Sequence, residues 1–229
     1  MKIIVEISQL RNMNENKPIL AIETSGPVCG VSIYYSENKH FDLHINNKLS
    51  HSKKIFKAID EILEISDTQL NELRWIAVSA GPGSFTGLRI GLSAAKGLGF
   101  GAGIPLLMVP TYQAIALQTS ELYDEGSNFV IANKVNMDEV YFAEFSINKN
   151  SFIFVEDLKI INKNELFSRT SGKRTISNIT GFENNFSWIS VPAPFYIAKW
   201  SVLYGAEKAT NNFDNIEPMY YKEFIPIKR

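Results

Sequence analysis

The sequence predicts an α/β protein in two lobes, each a mixed β-sheet with helices on its faces. Two observations carry that expectation. The first half reads as three consecutive strands followed by strands linked through helices, and the second half restarts with three strands. The composition fits an ordinary globular chain: 229 residues, 45% hydrophobic and 21% charged.

"ILAIETS" (Ile19–Ser25) is a near-continuous apolar run that ends in small polar residues, the pattern of a buried strand. "GVSIYYSENK" alternates, with Val31, Ile33 and Tyr35 on one face. "KHFDLHIN" alternates too, so three short-linked strands form an antiparallel meander. "SHSKKIFKAIDEILEIS" (Ser50–Ser66) carries Ile55, Phe56, Ile59, Ile62 and Leu63 at helical spacing, with Ser50 or Ser52 as N-cap. "DTQLNEL" reads as a short helix capped by Asp67. "WIAVSA" is a second buried strand, and a glycine loop and helix follow it. "IPLLMV" is a strand and Thr111–Tyr123 a helix. The second half gives strands at Asn128–Asn133, Glu139–Asn148, Ser151–Ile161 and Arg174–Ile179. Its helices fall near Asn164–Arg169 and at Phe195–Ala209. It looks like a worn duplicate of the first half.

Bulk properties exclude several classes. The formal net charge is -1, so no broad positive field holds nucleic acid by its phosphates. One cysteine, Cys29, allows no intrachain disulfide and fits a reducing cytoplasm. No apolar run of about 18 residues suggests a membrane span. The N-terminus has no signal-peptide core, and Met13 is an alternative start to Met1, leaving residues 1–12 without a role in the fold.

"SAGPGSFTGLRIGLSAAKGLGFGAG" (Ser79–Gly103) holds eight of the 14 glycines. Its spacing, Gly81-x-Gly83-x-x-x-Gly87, matches no phosphate-loop signature, and the lysine of such a loop is missing. Two readings stay open: an anion at the helix N-terminus, or a sharp strand-to-helix turn. Gly87, Gly91 and Ala95 form one small-residue stripe on the helix, and Ser93 and Gly97 another. Each helix-interior glycine costs roughly 1 kcal/mol, so a close approach is expected, to the chain's own sheet, to a neighbour, or to both. In the Ser50–Ser66 helix the lysines (Lys53, Lys54, Lys57) precede the acids (Asp60, Glu61, Glu64), against the helix dipole. A partner's charges or chance would explain that order.

These stretches, with "IPLLMVPT", "NMDEVYFAEF" and "IEPMYYKE", stand in the order seen in the TsaB (YeaZ) family, which the chain resembles from Pro18 on. The resemblance implies the actin-like ATPase (ribonuclease H-like) fold. Its lobes would span residues 18–123 and, in reduced form, 124–229, after an N-terminal extension, 1–17, expected to be poorly ordered. It also implies a non-catalytic scaffold subunit. Such a subunit forms a heterodimer with the catalytic paralogue TsaD, and TsaE joins them. The complex adds a threonylcarbamoyl group to N6 of adenosine-37 in tRNAs reading ANN codons, so tRNA is met only indirectly. A homodimer in isolation and ATP or ADP at the complex interface are implied as well. The implied pairing surface is His51, Ile55, Ile59, Ile62, Leu88, Gly91 and Ala95.

Catalysis is expected elsewhere. The paralogue carries H-x-x-x-H just after the strand matching "IPLLMV", and here Thr111 and Ile115 stand at those positions. Neither binds iron or zinc there, so a metal is expected only in the partner. His40 and His44, four apart on a strand, would lie about 13 Å apart, too far to share an ion. The resemblance makes Glu23, Thr24, Ser25, Gly81, Gly83 and Ser84 the candidates for a vestigial nucleotide or anion site. Glu23 replaces the usual Asp, and Lys134 and Asn136 replace an Asp and an Arg of the family's second-lobe text. The alternative function is an ATP-dependent small-molecule kinase of the same fold. A peptidase is disfavoured, because no histidine is assignable to Cys29 and H-E-x-x-H is absent.

Overall fold

A strand buried along its whole length lies at the centre of the first sheet. The computed structural model describes residues 17–46, 51–179 and 190–221. The expected extension therefore lies, but for Lys17, outside the described residues, as does Ser50. β1 (Ile19–Glu23) is buried along its length, between β2 (Val28–Ser36), antiparallel to it, and β4 (Ile76–Gly81), parallel to it. β3 (Lys39–Asn46) and β5 (Leu106–Pro110) complete the order β3-β2-β1-β4-β5.

α1 (His51–Ile65) and α2 (Phe85–Ala102) cover one face of this sheet. Ile55, Ile59 and Ile62 meet Leu92 and Ala95 over Leu20, Ile22, Val31 and Ile33. α3 (Thr111–Ser120) is buried almost all round because it lies between two sheets. Its Ala114 and Leu117 pack with Ile19 and Ala21, while Tyr112, Ile115 and Ala116 pack with Phe129, Ile131 and Phe145.

The second sheet holds β6 (Asn128–Lys134), β7 (Glu139–Asn148), β8 (Ser151–Asn162) and β9 (Arg174–Ser177). β9 follows α4 (Lys163–Thr170) and joins β6 in parallel, giving the order β8-β7-β6-β9. The first half thus runs β-β-β-α-β-α-β-α, apart from a short 3-10 turn. The second repeats it as far as its fourth strand. Among the described residues no helix is long and apolar enough to cross a membrane.

Three expectations need correction. First, the C-terminal part of the chain does not stay with the second lobe. α5 (Pro194–Trp200) puts Ile197, Ala198 and Trp200 into the cluster of Ile19, Ala21 and Leu107. Beyond it, Thr210 bridges to Leu106 and Ile216 joins the first core. α3 leaves part of that sheet face open, and α5 closes it. The helix expected at Phe195–Ala209 changes pitch at Ser201, through a π-helical turn to Gly205 and a 3-10 turn at Ala206–Lys208.

Second, Asp67 caps no helix. It sits at φ 51°, and the 3-10 turn Leu70–Glu72 starts after Gln69, whose amide donates to Glu72 at 2.8 Å.

Third, the expected pairing residues are inside. Ile55, Ile59, Ile62, Leu88, Gly91 and Ala95 are buried in this chain's own core. The Gly87–Gly91–Ala95 stripe faces the end of β1. A Cβ on Gly87 would collide with the Thr24 carbonyl, and one on Gly91 with Thr24 Oγ1. His51 is buried too, its Nε2 3.3 Å from the Pro27 carbonyl.

The two stripes should respond oppositely to added volume. Gly91→Ala is expected to destabilise the fold by about 1–3 kcal/mol through overpacking. Gly97 is exposed, and a Cβ there would meet nothing within 4 Å. Gly97→Ala should therefore stabilise by ~0.5–1 kcal/mol through helix propensity. Urea unfolding of both variants measures this, and the reverse ranking would contradict the packing of the two stripes.

Candidate functional site

The glycine loop closes on the end of β1 rather than opening as a cradle. Thr24 Oγ1 donates to the Gly87 carbonyl at 2.8 Å, and the Ser84 amide donates to the Ser25 carbonyl at 2.6 Å. Gly83 lies against Ser25, where a Cβ would overlap the Ser25 carbonyl. Gly81 has φ 108°, a value that favours glycine, and its amide donates to Thr111 Oγ1 at 3.0 Å. Ser84 caps α2 by accepting from the Gly87 amide at 3.2 Å. The amides of Gly81, Ser84 and Gly87 are therefore occupied within the fold.

An interlobe cleft of about 1330 Å³ opens beside this junction. Ser25, Gly83 and Ser84 line it, whereas Glu23, Thr24 and Gly81 are buried beneath. The expected six-residue site is thus split between wall and core. The opposite wall is Asn133, Lys134, Asn136 and Asn178, and His51 lies at the near edge. Among the described lining residues there is no carboxylate. Asn136 is held by its own turn: its Oδ1 accepts from the amides of Asp138 (2.9 Å) and Glu139 (3.0 Å).

Glu23 is the electrostatic anomaly. It is 0% exposed; its Oε1 accepts from the Ser25 amide, and its Oε2 has no hydrogen-bond partner. Burial pushes its pKa up to about 7, against hydrogen bonds from Ser25 and Ser79. Nearby, burial and then the Glu23 charge push the Cys29 thiol up to about 11. Cys29 is thus a buried core thiol and no nucleophile at neutral pH.

The two positions of the paralogue's histidines are structural. Thr111 accepts the Gly81 hydrogen bond, and Ile115 is fully buried between the sheets. Among the described residues no group of three or more His, Cys, Asp or Glu could hold a metal ion.

A second surface feature lies on the outer side of α1 and α2. Ser52, Phe56, Phe85, Thr86 and Ile90 line an open groove of about 430 Å³. Phe56 is 52% exposed and Phe85 40%. Of the residues expected to pair, Ile55 lines this groove, whereas Phe56 and Phe85 were not among them. The signal was present, because Phe56 is turned about 100° from Ile55 and so leaves the face that Ile55, Ile59 and Ile62 share.

Glu23 predicts a pH dependence. Its folded-state pKa of about 7 lies above the ordinary 4.5, so the fold keeps a proton that the unfolded chain releases. The associated stability is full below pH ~4.5, falls as pH rises through ~7, and amounts to on the order of 3 kcal/mol. In Glu23→Gln this slope should vanish. Denaturant unfolding at pH 5 and pH 8, where the wild type loses stability and the variant does not, is the check. Equal slopes would remove Glu23 as the cause.

Comparison with known proteins agrees with this architecture. The family model described as "TsaD: tRNA N6-adenosine threonylcarbamoyltransferase" matches residues 47–179. The tRNA threonylcarbamoyladenosine biosynthesis protein TsaB of Haemophilus influenzae is 30% identical over 94% of this chain and 98% of its own. The Escherichia coli protein of the same name is 33% identical over 65% of this chain and 63% of its own. In structure, a Pseudomonas aeruginosa protein with similarity to peptidase YeaZ superposes with a TM-score of 0.73 at 18% identity, covering 90% of this chain and 100% of that one. Its identity is low enough that it bears on the fold alone. The family model marks a TsaD-like domain in the chain, and a relative alike along nearly its whole length shows that the chain belongs to the TsaB family of tRNA threonylcarbamoyladenosine biosynthesis proteins.

Proposed function

We propose that the chain is a non-catalytic subunit that docks a TsaD-type threonylcarbamoyltransferase through the outer face of α1 and α2. With TsaE, that complex adds the threonylcarbamoyl group to N6 of adenosine-37 in cytoplasmic tRNAs reading ANN codons. The observation that carries this reading is the groove with exposed Phe56 and Phe85 on a helix pair whose other side is core. The matched family model spans both helices. A TsaD-type partner would bring an equivalent pair, giving a pseudo-two-fold contact of four helices. In isolation the same face accounts for a homodimer.

The chain's own residues fit support rather than chemistry. Thr111 and Ile115 brace the fold, and the net charge of -1 gives tRNA little to hold. The kinase alternative would need the loop's amides and Thr24 for phosphate, and Thr24 Oγ1 and the amides of Gly81, Ser84 and Gly87 are engaged within the fold. ATP or ADP, if present in the complex, would then rest at the shared interface, with any metal held by the partner.

Reconstituted tRNA modification with the partner proteins is the direct test. Modification should fall sharply without this chain; undiminished modification would overturn the proposal. Phe56→Asp should keep the melting temperature, since the side chain is half exposed, yet weaken partner binding at least ten-fold, about 1.4 kcal/mol or more.

A further inference from the structure

One side chain on the rim of that groove is held as if for an acidic ligand. Arg89 is exposed and, among the described residues, is the groove's only charged lining residue. Its guanidinium lies 3.8 Å from the centre of the Phe85 ring and 5.9 Å from that of Tyr220. Its Nε donates to Tyr220 Oη at 3.1 Å. Among the described residues no carboxylate forms an ion pair with it.

Tyr220 comes from the far end of the chain. The Met219 amide donates to the Ala80 carbonyl at 2.8 Å, which fixes this last segment at the start of the glycine loop. Tyr220 then lies 5.2 Å from the Phe85 ring, and Tyr221 reaches Tyr141 of the second sheet at 6.4 Å. The strap thus pins the guanidinium plane before any partner arrives. A planar cation fixed at Nε still presents its two terminal nitrogens, the geometry that takes a carboxylate in a bidentate pair. The surrounding field has the matching sign: Lys53 and Lys57 are exposed on the same end of α1, while Asp60, Glu61 and Glu64 lie further along it.

We propose that Arg89, stacked on Phe85 and positioned by Tyr220, receives an aspartate or glutamate of the docked TsaD-type partner, beside an apolar side chain that enters the groove at Phe56. This rests on the docking reading above and adds the chemistry of the partner's surface. Arginine flanked by aromatic rings is the composition in which interface energy concentrates. Tyr220 is a positioning residue that acts through Arg89.

The test is partner binding by calorimetry at low and high salt, with the full chain and the purified threonylcarbamoyltransferase. Arg89→Ala should weaken binding at least ten-fold and flatten its salt dependence. Arg89→Lys, which keeps the charge but loses the plane, should recover the salt dependence with only part of the affinity. Tyr220→Phe, which loses only the hydroxyl, should weaken binding a few-fold and leave the salt slope in place. Wild-type affinity in Arg89→Ala, while Phe56→Asp abolishes binding, would overturn the carboxylate contact and leave the docking face standing. Weakened binding in Arg89→Ala with an unchanged salt slope would reduce the arginine to packing and overturn the proposal equally. Unaffected binding in Phe56→Asp would remove the docking face, and this contact with it.

Discussion

The contact between the end of β1 and the first turns of α2 is the constraint on which the rest of the molecule depends. Thr24 and Ser25 leave the end of this central strand and are captured at once, one by the Gly87 carbonyl and the other by the Ser84 amide. Backbone lies on backbone here, and only glycine leaves room for it. Once α2 is set in this way, α1 can lie beside it, and the isoleucines of α1 reach the sheet. The outer sides of the same two helices are then turned away from the core. The groove follows from how tightly the inner side is packed.

The same contact engages part of a loop that has the look of a phosphate cradle. An anion site at a helix N-terminus needs amides that point into open space. Here the Ser84 and Gly87 amides have partners within the fold, and Gly83 lies against Ser25. The cost of the arrangement is electrostatic. Glu23 is sealed under the junction with one oxygen unpaired, and burial favours its neutral form.

Most of the fold was legible because it rests on local pattern. Continuous apolar runs marked β1 and β4, alternation marked β2 and β3, and α1 announced itself by its isoleucines. What failed was long-range. Nothing in Pro194–Trp200 says that it returns to a strand more than 170 residues earlier, since any apolar surface of the right shape would cover it. The pairing surface is ambiguous in the sequence for a related reason. Periodicity marks Ile55, Ile59 and Ile62 as one face, but does not say whether the chain's own sheet or another protein covers it. The sheet took that face, and Phe56 and Phe85 were left outside. The candidate site was half legible: the loop and the strand end were found, but Tyr220, brought in by the returning C-terminal segment, carried no motif that pointed to Arg89.

That return has a consequence for synthesis. β1 is among the first elements to leave the ribosome, yet the cover that α3 gives Ile19 and Ala21 is completed only when α5 arrives, and α2 meets its aromatic neighbour later still. A nascent chain ending anywhere in the second sheet leaves part of one face of the first sheet open, with the edge strand β5 still lacking its bridge at Thr210. Such intermediates hold apolar surface open to other chains. The two lobes are therefore not two folding units joined by a linker. The first closes only after the second has been made, so a truncation near the C-terminus strikes at the part of the molecule that was made first.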